Sequence, residues 1–166
     1  MYAPTCAIAG IIYVGGASDF SGGTVIDTTN SFSFNPGTNT TGTIAAIPRA
    51  TGETRALNFN SLMLVMGGGR TPPNPSNEVD IYDPVSNTWA IGSPFMTARR
   101  NFATDTNGTS CFWLVGGYAS NGTVLSSMAI CCQAGPTPTP TATPRPSPTP
   151  RSSPAPRSRP TPAPRA

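Results

Sequence analysis

The 166-residue chain has no histidine, its ten cations are all arginine, and only 10% of its residues are charged. Without histidine there is no Ser-His-Asp or Cys-His nucleophile system, no imidazole base and no His-ligated metal site. Long apolar runs are also missing, and even Leu62 to Met66 is far too short for a transmembrane helix or the apolar core of a signal peptide. Nor is there a sustained 3.6-residue amphipathic pattern, because Pro, Gly, Thr, Asn and Ser are too dense for helices.

Charge is divided between two segments. Residues 1–135 hold all seven acids and five arginines, for a net charge of −2, whereas residues 136–166 hold five arginines and no acid. From Pro136 onward the chain carries 12 of its 20 prolines and nothing apolar larger than Ala. Such a segment has nothing to bury against the entropy of ordering, so an extended, solvated, disordered tail is expected. Its prolines all fall on even positions, so PxxP never occurs and an SH3-type ligand is disfavoured. A six-residue step sets Arg145, Arg151 and Arg157 on one polyproline II stripe about 19 Å apart. An inert spacer is the favoured reading, and contact with a polyanion or envelope surface the alternative.

Residues 1–135 repeat. Ile11 to Val14, Leu62 to Met66 and Phe112 to Val115 each end in a glycine pair, with steps of 52 from Gly15 to Gly67 and 49 from Gly67 to Gly116. Runs this short that do not alternate fit strands buried on both faces. Behind two of them, Phe32-Ser33-Phe34-Asn35-Pro36 aligns with Asp80-Ile81-Tyr82-Asp83-Pro84, each a strand running into a reverse turn with Asn39 or Asn87 behind it. Thr54 to Leu57, before a turn at residues 58–61, and Asn101 to Thr104, before Asn107-Gly108, supply a leading strand. Thr43 to Ile47 and Trp89 to Met96 supply a fourth.

The glycine pair after an apolar strand, Tyr82-Asp83-Pro84 with Asn87 and Trp89, and Met96-Thr97-Ala98-Arg99 together resemble the kelch repeat. The resemblance implies an all-β protein of antiparallel four-stranded blades in a β-propeller, with repeats at roughly 4–50, 51–99 and 100–132 and the tail at 136–166. The first unit has Thr41 in place of the Trp, and the third stops after Cys132, giving eleven strands where a closed ring needs four to eight complete blades. An incomplete propeller is therefore expected, closed by further blades or by self-association. Met1 to Cys6 enters a blade almost at once, which fits a fragment of a longer kelch protein.

Cys6, Cys111, Cys131 and Cys132 lack CxxC spacing, so a zinc site is not expected. If Val115 faces Ser127 or Met128, Cys111 faces Cys131 or Cys132. A cross-strand disulfide within that set, Cys111 to Cys132 being the candidate pair, stands against free buried thiols. Cys6 and the remaining cysteine would pair or bridge to another chain. With Thr/Ser-rich strands and a Pro/Thr spacer, this favours an extracellular or cell-surface protein without membrane insertion.

Galactose oxidase-like proteins share kelch blades, but their copper site needs histidines, so copper-radical oxidation is disfavoured and no cofactor is expected. The seven carboxylates fit turn and cap roles better than a catalytic pair. In the family the loops after the glycine pairs sit at the propeller's ends, which makes Asp19, Phe20, Arg70, Asn74, Tyr118 and Asn121 the candidate binding residues. Arg99 and Arg100 are expected to bond backbone carbonyls between blades, and Trp89 and Trp113 to pack there. A net-negative folded part lacking a basic groove disfavours nucleic acid. The resulting expectation is a non-catalytic module recognising a protein or glycan through its loops. The alternative is an accessory segment of an extracellular carbohydrate-active or other enzyme whose catalytic part is absent.

Overall fold

The computed structural model describes residues 3–69 and 75–133. Residues Met1–Gly135 form one compact unit; the proposed tail, 136–166, lies outside the described residues. Blade 1 comprises β1 (Thr5–Ile8), β2 (Ile11–Ser21), β3 (Thr24–Asn35) and β4 (Thr40–Thr43). Blade 2 comprises β5 (Arg55–Phe59), β6 (Leu62–Met66), β7 (Val79–Asp83) and β8 (Thr88–Ile91), and blade 3 comprises β9 (Ala103–Thr106), β10 (Cys111–Val115) and β11 (Met128–Cys132). Each is an antiparallel meander in chain order, and blade 3 has three strands among the described residues.

Turn chemistry sets several strand ends, and four of the expected strands have different bounds. Asn60 and Ser61 take φ of 53° and 62°, making the two-residue turn that suits a twisted hairpin. Asn58 and Phe59 therefore belong to β5 rather than to a turn, and Phe59 is buried. β9 likewise begins later than expected, at Ala103. The fourth strands are Thr40–Thr43 and Thr88–Ile91 instead of Thr43 to Ile47 and Trp89 to Met96. Proline supplies no ladder donor, and the segments before Pro48 and Pro94 leave the sheet, where Ile47 is buried in the inter-blade core.

The strand 3 to strand 4 turns of blades 1 and 2 are built alike. Asn35 Oδ1 accepts from Gly37 N–H at 2.9 Å, as Asp83 Oδ1 accepts from Val85 N–H at 2.8 Å. Four residues further on, Asn39 and Asn87 both take the left-handed conformation, at 54° and 53°. Pro-x-x-Asn thus encodes the same chain reversal twice.

Strand pairing revises the sequence alignment of blade 1. Gly15 faces Ser31 and Met66 faces Val79, while a bulge between Gly15 and Ala17 puts the left-handed residue at Gly16, φ 74°, matching Gly67 at 59°. Gly16, not Gly15, is therefore the counterpart of Gly67. A one-residue shift exchanges the faces of a strand, so Tyr13 and Gly15 turn toward blade 2. A side chain at Gly15 would meet the Trp89 ring at 2.7 Å, so glycine there makes room for the neighbouring blade.

Two apolar layers join the blades. Ile8 and Ile47 of blade 1 pack with Met63, Val65 and Tyr82 of blade 2. On the opposite face of blade 2, Leu57, Phe59, Leu64, Met66 and Val79 pack with Phe95, Phe102 and Leu114. Burying each such side chain is worth about 1.5–3 kcal/mol, so alternate residues of β6 hold two different neighbours.

Candidate functional site

The described candidates, Asp19, Phe20, Tyr118 and Asn121, lie where the second strand leads to the third, at one end of the blades. In blade 1 this connection is a long ribbon. β2 and β3 continue pairing past the bulge, with Ser18 opposite Asp27, Asp19 opposite Ile26 and Phe20 opposite Val25, and the ribbon turns at Gly22-Gly23. Asp19 and Phe20 are thus strand residues, correcting their assignment to a loop. The glycine pair supplies the turn and the β-branched Thr24, Val25 and Ile26 favour extended backbone. Phe20 is 64% exposed, with Val25 and Ile26 also exposed, while Asp19 Oδ1 accepts from Phe20 N–H at 2.7 Å.

In blade 3 the corresponding connection is tied down by backbone pairing. Tyr118 exchanges two hydrogen bonds with Arg100, at 2.9 and 3.1 Å, and bridges to Val124. Its side chain is exposed. Asn121 Oδ1 accepts from Thr123 N–H at 2.9 Å, a turn-forming role. No hydrogen bond or ring contact among the described residues joins Asp19 or Phe20 to Tyr118 or Asn121. Arg70 and Asn74, the candidates from blade 2, lie outside the described residues.

Beneath this end runs a polar seam that the sequence reading largely missed. Arg49 reaches from blade 1 into blade 2, where its guanidinium meets Asp80 at 3.0 Å, Glu78 at 2.9 Å, Thr51 Oγ1 at 2.9 Å and the Gly67 carbonyl at 3.3 Å. Fifty residues on, Arg99 reaches into blade 3 and donates to the carbonyls of Gly116 at 2.9 Å and Ser127 at 3.2 Å. Gly67 and Gly116 are equivalent, so the two arginines fill one repeated slot. The fifty-residue step from Arg49 to Arg99 was the available signal. Arg100 pairs with the Glu53 carboxylate at 2.9 Å rather than with a carbonyl, correcting the expectation for its side chain.

Burial pushes the Asp80 carboxyl above its ordinary value despite Arg49, and pulls Arg99 below its own. The Arg99 residue is 1% exposed and meets only neutral oxygens among the described residues. With Asp83 and Asp105 capping Val85 N–H and Thr106 N–H, most carboxylates with described partners serve backbone or arginine.

Trp89 packs between blades, its Nε1 donating to the Ala45 carbonyl at 2.7 Å. Trp113 does not, correcting the expectation. It alternates with Phe112 and Leu114, which face blade 2, and so points to the other side of blade 3. Cys111 lies opposite Cys132 and is bonded to it, with an S–S distance of 2.08 Å. Cys6 and Cys131 pack against different apolar clusters, so the expected pairing of Cys6 with the remaining cysteine is not made. Burial raises both thiols, Cys6 to about 12.

A kelch-motif family model matches residues 53–96, which takes in all of blade 2. No curated protein matches the chain. The solved structure of YjhT is similar to it at 16% identity with a TM-score of 0.67, over 80% of this chain and 51% of that one. The chain thus spans about half the length of that solved structure. Blade 2 matches the kelch motif, and the three antiparallel sheets have the fold of an incomplete β-propeller.

Proposed function

We propose that the chain is a non-catalytic, extracellular interaction module that recognises a protein through the strand 2 to strand 3 end of its blades. The observation that carries this reading is the projecting ribbon of blade 1, which holds Phe20 64% exposed opposite Val25 on two hydrogen-bonded strands. An apolar anchor projecting from a scaffold suits a protein partner better than a polar sugar. The engagement of Asp80, Glu78 and Glu53 by arginines supports a non-catalytic reading. The Cys111–Cys132 bond supports an oxidising compartment.

A photo-cross-linking phenylalanine analogue placed at Phe20, and as control at the 94% exposed Val85 on the opposite blade end, tests the reading. One protein captured at position 20, not at 85, followed by at least about tenfold weaker binding of the purified partner to Phe20→Ala, is expected. Equal labelling at both positions, saturable glycan binding indifferent to Phe20, or turnover of substrate by the chain would sink it.

A further inference from the structure

We propose that two copies of this chain close one ring, the outer face of blade 3 in each copy packing on the outer face of blade 1 in the other.

The argument rests on the two sides of blade 2. Toward blade 3 it presents Leu64, Met66 and Val79, with Ile81 packed against the same cluster; the strand pairing makes their counterparts in blade 3 Trp113, Val115, Met128 and Ile130. That surface is uncovered among the described residues, with Val115 at 45% and Met128 and Ile130 at 56% exposure. Toward blade 1, blade 2 presents Met63, Val65 and Tyr82, whose counterparts in blade 1 are Ile12, Val14 and Phe34. With Phe32, these form the other uncovered surface, Ile12 and Phe32 being 37% and 45% exposed.

The two free surfaces are therefore not alike. One is of the kind that packs forward and the other of the kind that receives, the same combination buried twice inside the chain. Joining them is a head-to-tail contact, which closes only if the accumulated rotation permits it. Three blades correspond to 51% of a longer propeller chain, so each copy supplies about half a turn and a twofold axis closes the ring. The strand 2 to strand 3 connections of both copies then lie around one complete end.

Native mass spectrometry and sedimentation of the full chain, with two charge variants at exposed positions, test this. The wild type is expected to be a dimer at roughly 100 μM, an interface-limited association. Phe32→Arg and Ile130→Glu are each expected to be monomeric with an unchanged circular dichroism spectrum. Mixing them is expected to restore a dimer, because the mixed pair holds one wild-type contact and one Arg–Glu contact. A wild-type monomer, an open-ended oligomer, dimers of either variant alone, or no rescue on mixing overturns the proposal.

A second measurement needs no variant. Peroxide oxidation of Met128 relative to Met96, which is 98% exposed, is expected to slow severalfold between about 1 μM and 100 μM protein. A constant ratio overturns the proposal.

Discussion

Blade 2 and blade 3 share strand register, glycine placement and an incoming arginine, yet they meet their surroundings differently. Blade 2 has four strands and apolar layers on both faces, while blade 3 has three described strands and packs Leu114, buried, and Phe112, half-buried, on one face only. The arginine slot changes in step. In blade 2 Arg49 faces the carboxylates of Glu78 and Asp80; the counterparts in blade 3 are Ser127 and Ala129, and Arg99 is satisfied by carbonyls. The repeat thus preserves geometry more strictly than charge, since a guanidinium can bond carbonyl or carboxylate oxygens from one position.

That contrast breaks first at the arginines. Arg49→Met should cost about 3–5 kcal/mol in urea unfolding at pH 7, because it leaves the Asp80 carboxylate buried without its partner. A carboxyl raised in the fold binds its proton more readily folded than unfolded. This contribution therefore favours the fold at low pH and is lost as pH rises from 3.8 through the higher folded value. The defect of Arg49→Met should accordingly shrink in acid. Arg99→Met strands no carboxylate, and should cost about 1–3 kcal/mol with no such relief. Equal losses with the same pH dependence would mean that the two slots do not differ as described.

The faces of blade 3 offer the next contrast. Leu114→Ala, fully buried against blade 2, should destabilise by about 2–5 kcal/mol, whereas Val115→Ala on the open face should cost under about 1 kcal/mol in the dissociated chain. Thermal unfolding of the two variants at low protein concentration checks this.

Blade 3 alone carries a disulfide, closing a separation of 21 residues. Cys132→Ser should lower stability by about 3 kcal/mol on the chain-entropy estimate, and reductant should then have little further effect. Smallest is the glycine contrast. A side chain at Gly67, φ 59°, would meet the Arg99 carbonyl at 2.6 Å, whereas Gly22 has open space around it. Gly67→Ala should cost about 2 kcal/mol or more and Gly22→Ala about 1, read from denaturant midpoints.

Much of the fold was legible because repetition makes weak local signals agree. Three glycine-ended apolar runs and two Asn/Asp-Pro turns at one period mark blades, where any one of them alone marks only a strand or a turn. The site was less legible. Phe20 was found, but as part of a loop, because nothing local says whether chain beyond a glycine-ended strand keeps pairing. Arg49 escaped notice because its partners, Gly67 and Asp80, lie 18 and 31 residues away.

By itself, the sequence determined the all-β class, the fifty-residue blade period and the turns that end each strand, since these depend on neighbours along the chain and on the allowed φ of Gly and Asn. Only the tertiary structure decided which face of each strand meets which blade. Tyr13 lies against Tyr82 of the next blade with ring centroids 5.6 Å apart, while Phe32, the counterpart of Asp80, is left outside, and the bulge after Gly15 shifts the register only beyond them. In a strand, facing alternates with every residue, so a single inserted position is invisible to composition and decisive for packing.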